Sequence, residues 1–62
     1  MSNAEINLIA LTVARALNLE YLMGTNWIEW HKSNGKEIKK TFENTFELKC
    51  YLEGVLLAIR LS

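Results

Sequence analysis

Two runs rich in aromatic and β-branched residues, joined at Asn34-Gly35, constrain the fold of this chain more than any other feature. The first run spans residues 26–33 and the second spans residues 36–42. Asn-Gly is the strongest short-range signal for a β-hairpin, because the favoured tight turns need residues that accept positive φ. The sequence therefore predicts a β-hairpin over about residues 26–42.

The turn also predicts how the two strands pair. A two-residue turn at Asn34-Gly35 pairs Ser33 with Lys36 and thereby fixes every later pair. Most of the later pairs join opposite charges or involve an aromatic ring: Lys32 with Glu37, His31 with Ile38, Trp30 with Lys39, Glu29 with Lys40, and Trp27 with Phe42. Each favourable pair contributes roughly 0.2–1 kcal/mol, so we expect this register.

Helical periodicity precedes the hairpin, with apolar residues recurring at spacings of three and four. Ser2 and Glu5 have the spacing of a capping box at the start of this segment, and Gly24 is a candidate C-terminal cap. We therefore predict a helix over about residues 3–23. Residues 19–23 also alternate as a short strand would, and that alternative stays open.

A second helix is predicted after the hairpin. Asn44 and Glu47 repeat the cap pattern that begins many helices, and the apolar periodicity continues to Leu61. This predicts a helix over about residues 45–61. The complete prediction is one small α+β domain over residues 1–62, in the order helix, β-hairpin, helix (αββα).

The chain is short for the amount of apolar side chain that it carries. It has 62 residues, 50% of them hydrophobic, and a domain of this size buries only about 60% of its unfolded surface. Small domains usually gain stability from disulfides, metals or oligomerisation. Cys50 is the only cysteine and His31 the only histidine, so we expect neither a disulfide nor a metal site. Self-association is then the remaining source of stability, unless the core is unusually well packed.

Both helices carry apolar side chains on more than one side. On the second helix, the side nearly opposite the main apolar stripe is also apolar, with Phe46, Cys50, Leu57 and Leu61. A surface helix of a monomer usually has one apolar stripe, so we predict a two-fold homodimer or a higher closed oligomer. The residues expected in its interface are Leu48, Leu52, Val55, Leu56 and Ile59 of the second helix, with Leu8 and Leu11 of the first.

The two tryptophans differ by three positions, so they point to opposite faces of the hairpin. If Trp27 faces the helices, Trp30 is an outward anchor of the kind that is enriched in binding hot spots. The expected partner surface is then composed of Ile28, Trp30, Lys32 and Lys39. The reversed assignment, with Trp27 outward, is the alternative.

The hairpin also suggests a nucleic-acid-binding dimer as a second function. A two-stranded ribbon can enter the major groove, and aromatic rings can stack on bases. The residues that would do so are Trp30, Lys32, Lys36, Lys39 and Lys40. Glutamates in the same segment offset most of this charge, and the formal net charge of the chain is zero. Nucleic-acid binding is therefore the second hypothesis, after binding to a protein partner.

Catalytic patterns are weak in this sequence. His31 and Cys50 could form a nucleophilic pair only if the fold brought them together, and the expected roles are a half-exposed ring on the hairpin and a small core residue. There is no glycine-rich phosphate loop and no metal-ligand spacing. We therefore expect no catalytic residues, no cofactor and no enzyme activity, but a protein–protein interaction or regulatory module of adaptor or inhibitor type.

Targeting signals are not visible either. No stretch has the basic start of a secretory signal, and none reaches the roughly eighteen apolar residues of a membrane span. A single unpaired cysteine is typical of reducing compartments. The sequence therefore predicts a cytoplasmic protein without membrane association, and its size alone suggests an origin in a mobile element or phage.

Overall fold

The computed structural model describes residues 3–62. In chain order, its elements are helix α1 (Asn3–Leu17), strands β1 (Glu20–Met23), β2 (Trp27–His31) and β3 (Glu37–Thr41), and helix α2 (Thr45–Leu61). The strands form one antiparallel sheet in the order β1-β2-β3. Both helices pack on one face of this sheet, so the predicted α+β class is confirmed, with three strands instead of two.

Helix α1 ends well before the predicted residue 23. Asn18 follows its last turn with φ of 57°, a left-handed conformation that asparagine tolerates better than most residues. The Leu19 N–H then donates to the Ala14 carbonyl at 2.8 Å, as in a Schellman termination. The chain can therefore turn back directly into β1. The predicted helix over residues 18–23 was wrong, and the strand alternative is confirmed.

Gly24 is therefore not the predicted helix cap. It lies in the β1–β2 turn and donates its N–H to the Trp27 carbonyl at 3.0 Å. The Trp27 indole covers the space beside it, because a Cβ added to Gly24 would lie 2.1 Å from Trp27 Nε1. Glycine is needed here to leave room for the ring.

Gly24→Ala is expected to destabilise the fold by about 1–3 kcal/mol, because the added methyl group forces the Trp27 ring to move. Urea unfolding followed by circular dichroism measures the loss, and Thr25→Ala in the same exposed turn is the control with no such clash. A Gly24→Ala variant as stable as the wild type would show that the indole does not rest on this glycine.

The hairpin of β2 and β3 forms where it was predicted, but with a longer turn. The Lys32 N–H donates to the Lys36 carbonyl at 2.8 Å, and the Gly35 N–H donates to the Lys32 carbonyl at 3.0 Å. Gly35 has φ of 88°. This is a three-residue loop, in which a type I turn is closed by a left-handed glycine in a bulge. Asn34 Oδ1 accepts a hydrogen bond from the Lys36 N–H at 3.1 Å and holds the loop.

The extra loop residue shifts the register by one, so the predicted pairs were wrong. The observed pairs are Trp27 with Thr41, Ile28 with Lys40, Glu29 with Lys39, Trp30 with Ile38, and His31 with Glu37. A shift of one residue moves every side chain of β3 to the other face relative to β2. Both registers place glutamate opposite lysine, which is why the charge pattern did not distinguish them.

The core lies between the helices and the inner face of β2. Its fully buried members are Ile6, Ala10, Val13, Ala14, Ile28, Trp30, Leu48 and Leu52. Strand β3 extends beyond the helices, and all five of its residues are exposed. The helical layer therefore covers β1 and β2 and leaves one edge of the sheet open.

Helix α2 begins and ends as predicted. Asn44 precedes it in an extended conformation, and its Oδ1 accepts a hydrogen bond from the Glu47 N–H at 2.9 Å. The capping box predicted for α1 includes Ser2, which lies outside the described residues. Within residues 3–62, neither helix has both the length and the apolar character needed to cross a bilayer.

Candidate functional site

The sheet has one face that the helices do not cover. Alternate residues of the three strands point away from the helices and form what we call the outer sheet face. Its members are Glu20, Leu22, Trp27, Glu29, His31, Glu37, Lys39 and Thr41. This surface combines one indole, one exposed leucine, an imidazole and charges of both signs.

The predicted partner surface is divided between the two faces of the sheet. Ile28 is 0% exposed and Trp30 is 4% exposed, so both belong to the core. The Trp30 indole Nε1 donates to the Tyr51 hydroxyl at 3.1 Å, which satisfies the polar atom of the buried ring. The prediction of Ile28 and Trp30 as an outward surface was therefore wrong. Lys39 lies on the outer sheet face, and Lys32 is exposed at the end of β2.

Trp27 is the tryptophan on the outer sheet face, as in the reversed assignment. Its ring is half-buried against Gly24, and the Lys39 Nζ lies 4.8 Å from the ring centroid. This is a cation–π contact, which contributes about 0.5–1 kcal/mol at an exposed site. Lys39 therefore rests on the indole although Glu29 is its partner in the register.

Three possible metal ligands meet beside this contact. Glu29, His31 and Glu37 each offer one side-chain atom, and these atoms lie within 4.8 Å of one another. His31 Nε2 lies 2.9 Å from Glu29 Oε1. The direction of this contact does not meet hydrogen-bond geometry, and the buried Nε2 atom has no hydrogen-bond partner among the described residues. The observed register assembles this cluster, because it places Glu37 directly opposite His31.

The second candidate surface is the side of α2 that faces away from the sheet. We call it the α2 outer stripe, and its residues are Phe46, Cys50, Gly54, Leu57 and Leu61, all exposed. A Cβ added to Gly54 would meet nothing within 4 Å, so no other element among residues 3–62 packs on the middle of the stripe.

The predicted self-association residues lie mostly on the other side of α2. Leu48 and Leu52 are fully buried in the core, so their prediction as interface residues was wrong. Both apolar sides of α2 satisfy the same periodicity, and the sheet covers the side that contains these two leucines. The remaining predicted residues are placed as follows: Val55, Leu56 and Ile59 pack partly against the core, Leu11 is half-buried, and Leu8 is exposed on α1.

His31 and Cys50 are not brought together. His31 lies on the outer sheet face, whereas Cys50 is exposed on the α2 outer stripe, on the opposite layer. The prediction of Cys50 as a small core residue was wrong. A cleft of about 450 Å³ lies between the starts of the two helices and the β1–β2 turn. It is lined by Asn3, Ala4, Ile6, Asn7, Met23, Gly24, Thr25, Thr45 and Leu48, none with a titratable side chain.

The basic residues of the hairpin are separated from the buried Trp30. Trp30 is buried and Lys39 is engaged with Trp27, which leaves Lys32, Lys36 and Lys40 as exposed cations. Lys40 points to the inner side of β3 and the other two flank the turn. Trp30, the ring named in the nucleic-acid hypothesis, is therefore not placed to stack on a base.

Comparison of the chain with protein families, with curated proteins and with solved structures found no match.

Proposed function

We propose that this protein is a non-enzymatic interaction module that works as a two-fold homodimer, joined through the α2 outer stripe. The observation that carries the proposal is the exposure of Phe46, Leu57 and Leu61 along α2 after the core has been completed on its other side. Contiguous apolar surface of this kind marks an interaction site in soluble proteins.

The stripe has the properties of a helix–helix contact. It follows α2 from its first turn to its last, over 17 residues or about 25 Å. Gly54 lies at its centre and adds no side chain, so a second helix can approach closely there. Large residues toward both ends, Phe46 and Leu61, would then pack around the contact point.

The charges beside the α2 outer stripe favour a second copy of the chain as the partner that binds there. Two acidic residues, Glu47 and Glu53, and two basic residues, Lys49 and Arg60, flank it, so their sum is zero. A copy of the same surface therefore brings no net repulsion, and closed two-fold pairing is the commonest form of self-association. Cys50, an exposed free thiol within the stripe, fits a reducing compartment such as the cytoplasm.

A dimer of this kind leaves the outer sheet face of each copy free to bind another protein. That face points away from the helices, and it presents Trp27 beside the exposed Leu22. Tryptophan is enriched in binding hot spots. We propose Trp27 and Leu22 as the partner contacts, in place of the pair Trp30 and Ile28 predicted from the sequence.

Leu57→Glu is expected to abolish self-association while the fold persists, because it places a charge in the middle of an apolar contact in both copies. The dissociation constant should rise by more than about 100-fold. Sedimentation equilibrium over a range of protein concentrations measures it, and circular dichroism confirms that the helices remain.

Leu22→Glu is the matched control, since Leu22 is 57% exposed and Leu57 is 56% exposed, but Leu22 lies on the outer sheet face. We expect its dimer to be unchanged. A wild-type chain that stays monomeric at high concentration rejects the proposal, and so does a dimer that Leu22→Glu disrupts and Leu57→Glu does not.

A further inference from the structure

We propose that Glu29, His31 and Glu37 form a binding site for a divalent transition-metal ion on the outer sheet face. Each side chain offers one ligand atom, and the three atoms lie within 4.8 Å of one another. The site lies on the layer opposite the α2 outer stripe, so it stands independently of the proposed dimer.

The spacing of the ligand atoms suits a shared metal ion. His31 Nε2 and Glu29 Oε1 are 2.9 Å apart. When each bond is about 2.1 Å long, two neighbouring ligands of one ion lie about 3.0 Å apart in octahedral geometry and about 3.4 Å apart in tetrahedral geometry, so the observed separation is at the short end of this range. Glu37 is exposed and lies directly opposite His31, so a small rotation of its side chain brings its carboxylate to the same ion.

The imidazole gives the second observation that points to a metal. His31 Nε2 is a buried atom that makes no hydrogen bond among residues 3–62, although the side chain as a whole is 32% exposed and Glu29 Oε1 lies 2.9 Å away. Buried polar atoms rarely lack a hydrogen bond. A metal ion between Nε2 and the carboxylates would satisfy this atom, because a neutral imidazole nitrogen is a good ligand for transition metals.

The surrounding charges favour a cation. Glu20 lies opposite His31 on the other neighbouring strand, so three glutamates and one lysine share this face. The lysine, Lys39, has its Nζ over the Trp27 ring and makes no ion pair with Glu29 in the described part of the chain. Lys39 therefore does not neutralise the Glu29 carboxylate, whose recorded ion-pair contact is with His31.

The ligand set of one imidazole and two carboxylates indicates which class of metal ion the site would bind. Calcium and magnesium prefer all-oxygen sites, whereas zinc and other late first-row ions accept nitrogen and oxygen together. Three protein ligands leave at least one position open for water or for a side chain of a bound partner. The proposed ligand is therefore zinc or a related divalent ion, and Mg²⁺ should not replace it.

Zinc titration of the purified full chain tests the site, with binding measured by calorimetry and the His31 ring followed by NMR. We expect one Zn²⁺ per chain at micromolar affinity, no binding of Mg²⁺, and selective shifts of the His31 ring signals. His31→Ala should weaken zinc binding by at least about 100-fold and Glu37→Gln by at least about 10-fold. Free zinc at one hundred times its dissociation constant should raise the Tm by roughly 10–20 °C.

Glu43→Gln is the matched control, because it removes one exposed carboxylate outside the sheet and should leave the affinity unchanged. Cys50→Ser tests the competing thiol. Zinc binding that is lost in Cys50→Ser and retained in His31→Ala would place the ion on the cysteine and overturn the proposal. A wild-type chain that binds no zinc, or binds Mg²⁺ equally well, would overturn it too.

Discussion

Leu52→Glu is expected to leave the chain unfolded at 25 °C. Leu52 is fully buried between the helices and β2, and the buried residues of the described core include no charged or polar side chain that could compensate a carboxylate. Shortening a buried leucine to alanine alone costs about 2–5 kcal/mol, and an unpaired buried charge adds to that loss. A domain of this size has a total stability of roughly 3–9 kcal/mol, so the substitution removes most or all of it.

Circular dichroism and the dispersion of the amide NMR signals measure this outcome directly. The comparison is Leu57→Glu, which makes the same chemical change on the other side of α2 and is expected to keep the helical signal. The contrast tests which apolar side of α2 faces the sheet. If Leu52→Glu folds and Leu57→Glu does not, the side of α2 that contains Leu57 must be the one that faces the sheet.

The elements whose ends are fixed by a cap or a turn within a few residues were predicted well. Helix α2 begins after Asn44 because the side chain accepts the Glu47 N–H, and this cap is visible in the sequence. The β2–β3 hairpin was likewise predicted from Asn34-Gly35. In both cases the determining contacts join residues within a few positions of each other.

The register of the hairpin depended on a choice that the sequence leaves open. Asn34-Gly35 supports a two-residue turn, but Ser33-Asn34-Gly35 equally supports a type I turn with a glycine bulge. The structure adopts the type I turn with a glycine bulge, in which Gly35 is the one loop residue with positive φ. The consequence reaches the candidate site, because only this register places Glu37 beside His31.

The boundary between α1 and β1 was missed for a related reason. Residues 18–23 suit a helix and a strand, and Gly24 resembles a C-terminal cap. The helix instead ends before Asn18, and residues 20–23 form β1, which pairs with β2 and places Tyr21 opposite Trp30. That pairing is a tertiary contact, and local propensity does not report it.

The third strand also explains why the tryptophans were difficult to assign. In a two-stranded hairpin the faces are equivalent, and either ring could have covered the helices. With β1 added, Tyr21 and Trp30 lie side by side on the inner face, with their ring centroids 6.1 Å apart. The inner face therefore has the larger apolar area, and the helices cover it.

Trp30→Ala is expected to destabilise the fold by about 3–5 kcal/mol, against less than about 2 kcal/mol for Trp27→Ala. Trp30 is 4% exposed, contacts the ring of Tyr21 and donates a hydrogen bond to Tyr51, so its removal opens a cavity between the layers. Trp27 is half-buried, and its removal loses the contacts with Gly24 and Lys39 on the exposed face of the sheet without opening a cavity in the core.

Urea unfolding measures both losses, and fluorescence gives an independent check on the orientation of the two rings. Trp27→Phe leaves Trp30 as the only tryptophan, and its emission should be blue-shifted and poorly quenched by iodide, because the ring lies away from water. Trp30→Phe leaves Trp27, which iodide should quench more strongly. Equal quenching in the two variants, or a larger loss of stability for Trp27→Ala, would contradict the assignment of Trp27 to the outer sheet face. The metal site and the partner contacts proposed on that face would then be wrong as well.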